Sequence, residues 1–168
     1  LKPITTKRLN LRILKLADAK FILELVNSPT WKKHIGERNI NDIPAAEKYI
    51  NNLILIQKKY GFSLWLFEEK ETKKPLGICG FLQRDYLPKP DLGFAILPQH
   101  EKIGFTTEAA NACLNYGKEK LDFKKVYAIT RPENIASQRL LEKLGFKPVS
   151  IPTPPKETFD LQVFEIGE

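Results

Sequence analysis

The sequence predicts a mixed α/β domain, a sheet of antiparallel and parallel strands covered by helices. Apolar and polar residues alternate over Leu9, Asn10, Leu11, Arg12 and Ile13, the period of a half-buried strand. Three strand-like runs follow one another in mid-chain (62–68, 75–84 and 91–97), separated by turn-rich segments. Beyond them, helical and strand patterns alternate, which demands crossover connections.

The first strand covers 9–13. Asp18 is placed to cap a helix whose inward face is Phe21, Ile22, Leu25 and Val26, and Asn27-Ser28-Pro29 reads as its stop. A polar loop is expected from Trp31 to Asn41. Asp42 and Pro44 open a second helix carrying Tyr49, Ile50, Leu53, Ile54 and Ile56 inward, with Gly61 as its stop. The strands at 62–68 and 75–84 flank a charged hairpin turn at 69–74. A proline-rich turn at 85–90 precedes the strand at 91–97, which Pro98 closes because proline cannot donate to a ladder. The helix at 107–121 carries the small residues Ala109, Ala110, Cys113 and Gly117 beside Leu114, so it can lie close on a sheet. A strand at 125–130, a helix at 135–144 stopped by Gly145, and final strands at 147–151 and 158–166 complete the chain.

At 168 residues the chain is long enough for one self-sufficient core, and a single domain over 1–168 is expected. Hydrophobic content of 42% and charged content of 28% are those of an ordinary soluble domain. No apolar run approaches the ~20 residues that cross a bilayer. The first six residues lack the apolar core of a secretion signal, so a cytoplasmic location is expected. Cys79 and Cys113 have no CxxC partner and read as buried reduced thiols. No His, Cys, Asp or Glu cluster has metal-ligand spacing, and no metal is expected. The net charge of +7 favours anionic partners in general. Its lysines are scattered rather than gathered into a reading helix, so direct nucleic-acid binding is not expected.

Two segments carry the chemistry. Gln99 to Ala109 joins a strand to a helix through a short turn holding Gly104, so free backbone N–H groups and the positive end of a helix dipole converge on one point. Asn134 to Ser137 opens another helix directly after a strand. Two helix mouths beside neighbouring strands suit an extended anionic cofactor.

These residues resemble the GCN5-related N-acetyltransferases (GNAT), within them the branch of ribosomal-protein N-terminal acetyltransferases (RimJ/RimL-like). The resemblance spans nearly the whole chain. It begins with Thr6-Lys7-Arg8-Leu9-Asn10-Leu11-Arg12 and continues through 75–81, 91–98 and Gly104-Phe105-Thr106-Thr107-Glu108-Ala109. It closes with Pro132-Glu133-Asn134-Ile135-Ala136-Ser137 and Leu141-Glu142-Lys143-Leu144-Gly145-Phe146. It implies a mostly antiparallel sheet of about seven strands, splayed at the cofactor site, with about four helices. It also implies acetyl-CoA as donor, a primary amine as acceptor and direct transfer in a ternary complex. One departure stands out: Gln99 and Gly104 fit the ends of the family's diphosphate loop, but Lys102 replaces its first glycine. A backbone N–H at Lys102 can still be donated provided its conformation avoids positive φ; loss of the glycine's close approach would weaken cofactor binding, and the ammonium beside phosphate would offset that.

In that frame the diphosphate falls to the amides of Ile103, Gly104, Phe105 and Thr106, with the Thr106 or Thr107 hydroxyl in support. The pantetheine arm pairs with the strand edge at Phe94, Ala95, Ile96 and Leu97, and an amide near Phe94 or Ala95 faces the developing oxyanion. Asn134 both caps its helix and meets the cofactor arm; Ser137 is the candidate donor to the departing thiolate. Asp91 is a candidate base, with His34 and Glu37 as others, whereas His100 and Glu108 are expected to serve structure. Trp31, His34, Arg84 and Asp85 are the acceptor-site candidates, and Tyr49 and Tyr86 are further aromatic candidates. Trp65 reads as core. The acceptor is a small-molecule amine or a protein N-terminus, and the enzyme is a monomer or homodimer. A non-catalytic acyl-CoA sensor with the same fold is the alternative.

Overall fold

The computed structural model describes residues 2–151 and 160–168. The chain runs through β1 (Ile4–Thr5), β2 (Leu9–Arg12), a 3-10 turn (Leu16–Asp18), α1 (Ala19–Val26), α2 (Pro29–His34) and α3 (Ile43–Tyr60). It continues through β3 (Leu64–Glu69), β4 (Pro75–Leu82), β5 (Asp91–Ile96), a 3-10 turn (Pro98–His100) and α4 (Phe105–Lys120). Last come β6 (Lys125–Thr130), α5 (Ile135–Lys143), β7 (Lys147–Val149) and β8 (Gln162–Gly167). The strands form one open sheet in the order β1-β2-β3-β4-β5-β6-β8-β7, antiparallel at every seam except β5 against β6.

The mixed, mostly antiparallel sheet is the expected one, with differences at its margins. The described residues hold eight strands and five α-helices. β1 is an extra two-residue strand pairing Ile4 with Leu11. α2 fills the first part of the expected polar loop: Ser28 Oγ accepts from Trp31 N–H at 3.4 Å, and Pro29 sits in the first turn, where its missing N–H costs nothing. The strand expected at 158–166 is observed as β8 from Gln162, and residues 158 and 159 lie outside the described residues. Asp18 does not cap α1. Its carboxylate accepts instead from Lys15 N–H at 2.7 Å and from two nitrogens of Arg12 at 2.9 Å each. The α3 signals act as read: Asp42 Oδ1 accepts from Ala45 N–H at 2.9 Å, and Gly61 stops the helix at φ +81°.

β3 is buried on both faces, and its alternation assigns side chains to two cores. Trp65 and Phe67 point into one with Leu9, Leu11, Phe81 and α4. Leu64 and Leu66 point into the other with Ile22, Leu25, Ile50 and Leu53 of α1 and α3. On α4, Ala109, Ala110 and Cys113 are fully buried, and a Cβ on Gly117 would meet Phe81 at 2.9 Å. Small residues therefore let this helix lie against the sheet. Behind its first turns the sulfurs of Cys113 and Cys79 lie 3.6 Å apart, both thiols 0% exposed, and burial pushes the Cys113 thiol well up.

Candidate active site

β5 satisfies one neighbour and abandons the other. Its ladder with β4 is continuous from Asp91 opposite Leu82 to Ile96 opposite Gly77. Toward β6 the described residues form a single register pair, Asp91 with Tyr127, supported by Tyr127 N–H donating to the Pro90 carbonyl at 2.9 Å. Beyond Asp91 the two strands part. Gly93 to Ile96 become half-buried although they lie mid-sheet, and they line a cleft of about 920 Å³ together with Ala128 to Arg131. Backbone groups on the β6 side of this stretch are therefore left for a ligand, the demand an edge strand makes.

The N-terminus of α4 opens at the wide end of the cleft. Gly104, Phe105, Thr106 and Thr107 line it, and Gly104 supplies no side-chain cap, so first-turn N–H groups have no intrahelical acceptor. Gly104 has φ +83° and Lys102 has φ +65°. The condition that Lys102 avoid positive φ is thus not met. The tight turn demands a left-handed residue there, and lysine adopts it in place of the family's glycine at a cost of about 1–2 kcal/mol. Replacing Lys102 by glycine is expected to raise stability by about 1 kcal/mol, read as a higher urea midpoint at unchanged slope, whereas Lys102→Ala gains nothing.

A buttress holds this loop from behind. Glu108 Oε1 accepts from Thr6 Oγ1 at 2.6 Å and from Arg8 N–H at 2.8 Å, and Oε2 accepts from Arg8 Nε at 2.7 Å. Burial pushes the Glu108 carboxyl up, but the bonds from Thr6 and Arg8 outweigh it and hold it below its ordinary range. Arg8 also donates to the Ile103 carbonyl at 2.9 Å and stacks over the Phe105 ring at 4.4 Å. Glu108 was expected to be structural. Arg8 belongs to the quoted opening motif, yet nothing in its local sequence pattern signals this role a hundred residues away.

The second helix mouth lies across the cleft. Asn134 Oδ1 accepts from Ser137 N–H at 3.1 Å, the expected cap, and both residues line the cleft. At the closed end of the V, Asp91 is 1% exposed, and both its oxygens accept from Arg84 Nε at 3.1 Å. Burial pushes the Asp91 carboxyl up, against the pull of Arg84. Trp31, Tyr49 and Tyr86 line the cleft as well, whereas Trp65 is sealed in the core.

Phe94, Ala95, Ile96, Lys102 and His34 also line the cleft. Burial pushes the His34 imidazole down, helped by Lys33 and Arg131. Other candidates are placed elsewhere. Leu97 is buried, and its N–H is spent on the Leu76 carbonyl at 2.9 Å. Gln99 is exposed and donates to Glu24 at 3.3 Å. The Ile103 side chain is 55% exposed, outside the cleft lining. Asp85 is exposed and Glu37 pairs with Lys32 at 3.3 Å, so neither lines the cleft. Two residues that matter to the lining, Arg38 and Arg131, sit in segments whose sequence carries no pattern beyond loop polarity.

A parted parallel seam with a helix mouth on either side defines the class, and the chain belongs to the acetyltransferase (GNAT) domain family, whose profile matches residues 8–147. It is an N-acetyltransferase by that membership. It is 31% identical over 147 residues to YoaA of Bacillus subtilis (strain 168), named an uncharacterized N-acetyltransferase, covering 86% of this chain and 82% of that one. The crystal structure of the acetyltransferase from Agrobacterium tumefaciens str. C58 superposes with a TM-score of 0.86 at 22% identity, over 100% of this chain and 95% of that one. A RimL ribosomal L7/L12 alpha-N-protein acetyltransferase solved in complex with coenzyme A has a TM-score of 0.78 at 14% identity, covering 99% of this chain and 98% of that one. Among the described residues no helix is long and apolar enough to cross a membrane.

Proposed function

We propose that this chain, as one catalytic domain over 1–168 acting in the cytoplasm, transfers acetyl from acetyl-CoA to a primary amine by direct attack in a ternary complex. The acceptor is a protein N-terminus or a small-molecule amine. The observation that supports this most is the unpaired β5 edge running into the uncapped start of α4. A linear ligand with amides at one end and a diphosphate at the other matches both demands, so the residues present fit the cofactor. The coenzyme A held by the RimL neighbour lends the same support.

Acetyl-CoA supplies an acyl group already activated as a thioester. The first-turn amides of α4 and the Lys102 ammonium take the diphosphate. Backbone groups of Phe94 to Ile96 pair with the arm, and a β5 N–H faces the carbonyl oxygen on which charge develops. Asp91 accepts the proton of the attacking amine, directly or through water; burial pushes its carboxyl up, which makes the carboxylate a stronger base than an exposed one. Ser137 gives a proton or hydrogen bond to the departing sulfur, on a helix start oriented by Asn134.

The test measures free coenzyme A thiol from acetyl-CoA against a panel of amines and peptide N-termini, with Ser137→Ala alongside. Turnover with at least one amine is expected, and about a 10²-fold lower kcat in Ser137→Ala, the lower range for positioned proton transfer. Coenzyme A binding with no thiol release from any amine would leave the sensor alternative instead.

A further inference from the structure

The cleft lining includes a hydrogen-bond donor without a matched acceptor. Trp31 is 5% exposed and lines the cleft, and its indole Nε1 is buried with no hydrogen-bond partner among the described residues. An orphaned buried donor costs about 1–3 kcal/mol, which a ligand acceptor would recover on a small turn of the indole toward the cleft. Tyr49 lines the same wall. Burial opposes ionisation of its phenol while the guanidiniums of Arg38 and Arg84 favour it, so both cations lie within electrostatic reach of the hydroxyl. Arg84 is already matched by Asp91. Arg38 is exposed at the rim, and its guanidinium forms no ion pair among the described residues.

The unmatched guanidinium of Arg38 disfavours a polycation. Of the two carboxylates among the described residues that line the cleft, Asp91 is held by Arg84 through Nε alone and Glu101 belongs to the diphosphate loop, and the groups left over around Tyr49 are a guanidinium, a phenol and an indole N–H. We propose that the acceptor is an amine bearing a carboxylate near its nitrogen, with Arg38 and the donors of Trp31 and Tyr49 receiving the anion while Asp91 faces the amine. The inference rests on the acetyltransferase reading and deepens it by naming the acceptor's chemical class. A free amino acid supplies that anion as its α-carboxylate, and the N-terminus of an acidic chain supplies it from the side chain of the next residue.

Four probes separate the possibilities: L-glutamate, the peptides Ser-Glu-Glu-Ala and Ser-Lys-Lys-Ala, and spermidine. Each is assayed for thiol release with acetyl-CoA and titrated calorimetrically into protein saturated with coenzyme A. The acidic probes are expected to exceed the basic ones in kcat/KM by about tenfold or more, through KM, with that ratio collapsing in Arg38→Glu and largely restored in Arg38→Lys. Turnover of glutamate points to a small molecule, and turnover of the acidic peptide alone to a chain terminus. Preference for Ser-Lys-Lys-Ala or spermidine, or a ratio unmoved by Arg38→Glu, overturns the proposal. Acidic probes that bind in the calorimeter without any thiol release uphold the anion site while sinking the catalytic reading.

Discussion

Replacing Asp91 by asparagine is expected to lower kcat by about 10²- to 10⁴-fold, the contribution of a positioned proton acceptor, with coenzyme A affinity unchanged. Asparagine keeps the shape and one oxygen for Arg84 Nε, so the strand start at the closed end of the V is preserved. What it removes is a group that can take a proton. Burial pushes the wild-type carboxyl up, so activity should fall as pH drops through that raised value, where the carboxylate is lost. This acid limb should be missing from the residual activity of Asp91→Asn. Rates must be referred to folded protein, because Arg84 loses the charge it faces. If kcat per folded molecule is unchanged, Asp91 only anchors Arg84, and the base lies elsewhere.

The largest stability effect is expected at Trp65. Truncation to alanine should cost about 3–5 kcal/mol, the range for a large aromatic removed from a core. Trp65 is 0% exposed, meets Phe81 and Tyr116 edge-on at 6.1 and 5.4 Å, and donates from Nε1 to Gln57 at 2.8 Å. Because β3 is covered on both faces, neither layer can move in to fill the space without disturbing the other. Urea unfolding at unchanged slope measures the loss. A loss under about 1 kcal/mol would show that the site collapses freely and that the two-core description is wrong.

Elements with both a period and a punctuating residue were legible from sequence. The alternation in β2, the Asp42 cap and the Gly61 stop each fix a local geometry with few competitors. Where one signal has two physical meanings the reading failed. Asn27-Ser28-Pro29 ends one helix, but serine followed by proline equally begins another, and α2 is the result. Asp18 had the position of a cap, and a guanidinium six residues back won it. At Lys102 the residue type left φ open, and the turn set it positive.

The same division runs through the site. Backbone-built parts could be read because a strand, a short turn and a helix start must present amides whatever the side chains. Side-chain parts depend on partners distant in sequence. Arg84 answers to Asp91 rather than to its neighbour Asp85, and Gln99 turns to Glu24 on another helix. The clasp of Arg8 on Glu108 spans a hundred positions, which no local pattern encodes.

The sealed sulfur pair of the α4 core bears on how catalysis can be followed. The chain has two cysteines and neither touches solvent. A chromogenic disulfide reagent mixed with the native enzyme therefore finds no protein background to consume it, so continuous colour reports turnover alone. Delayed uptake of two equivalents per chain would instead mark denaturation, making one cuvette both a rate meter and an integrity gauge.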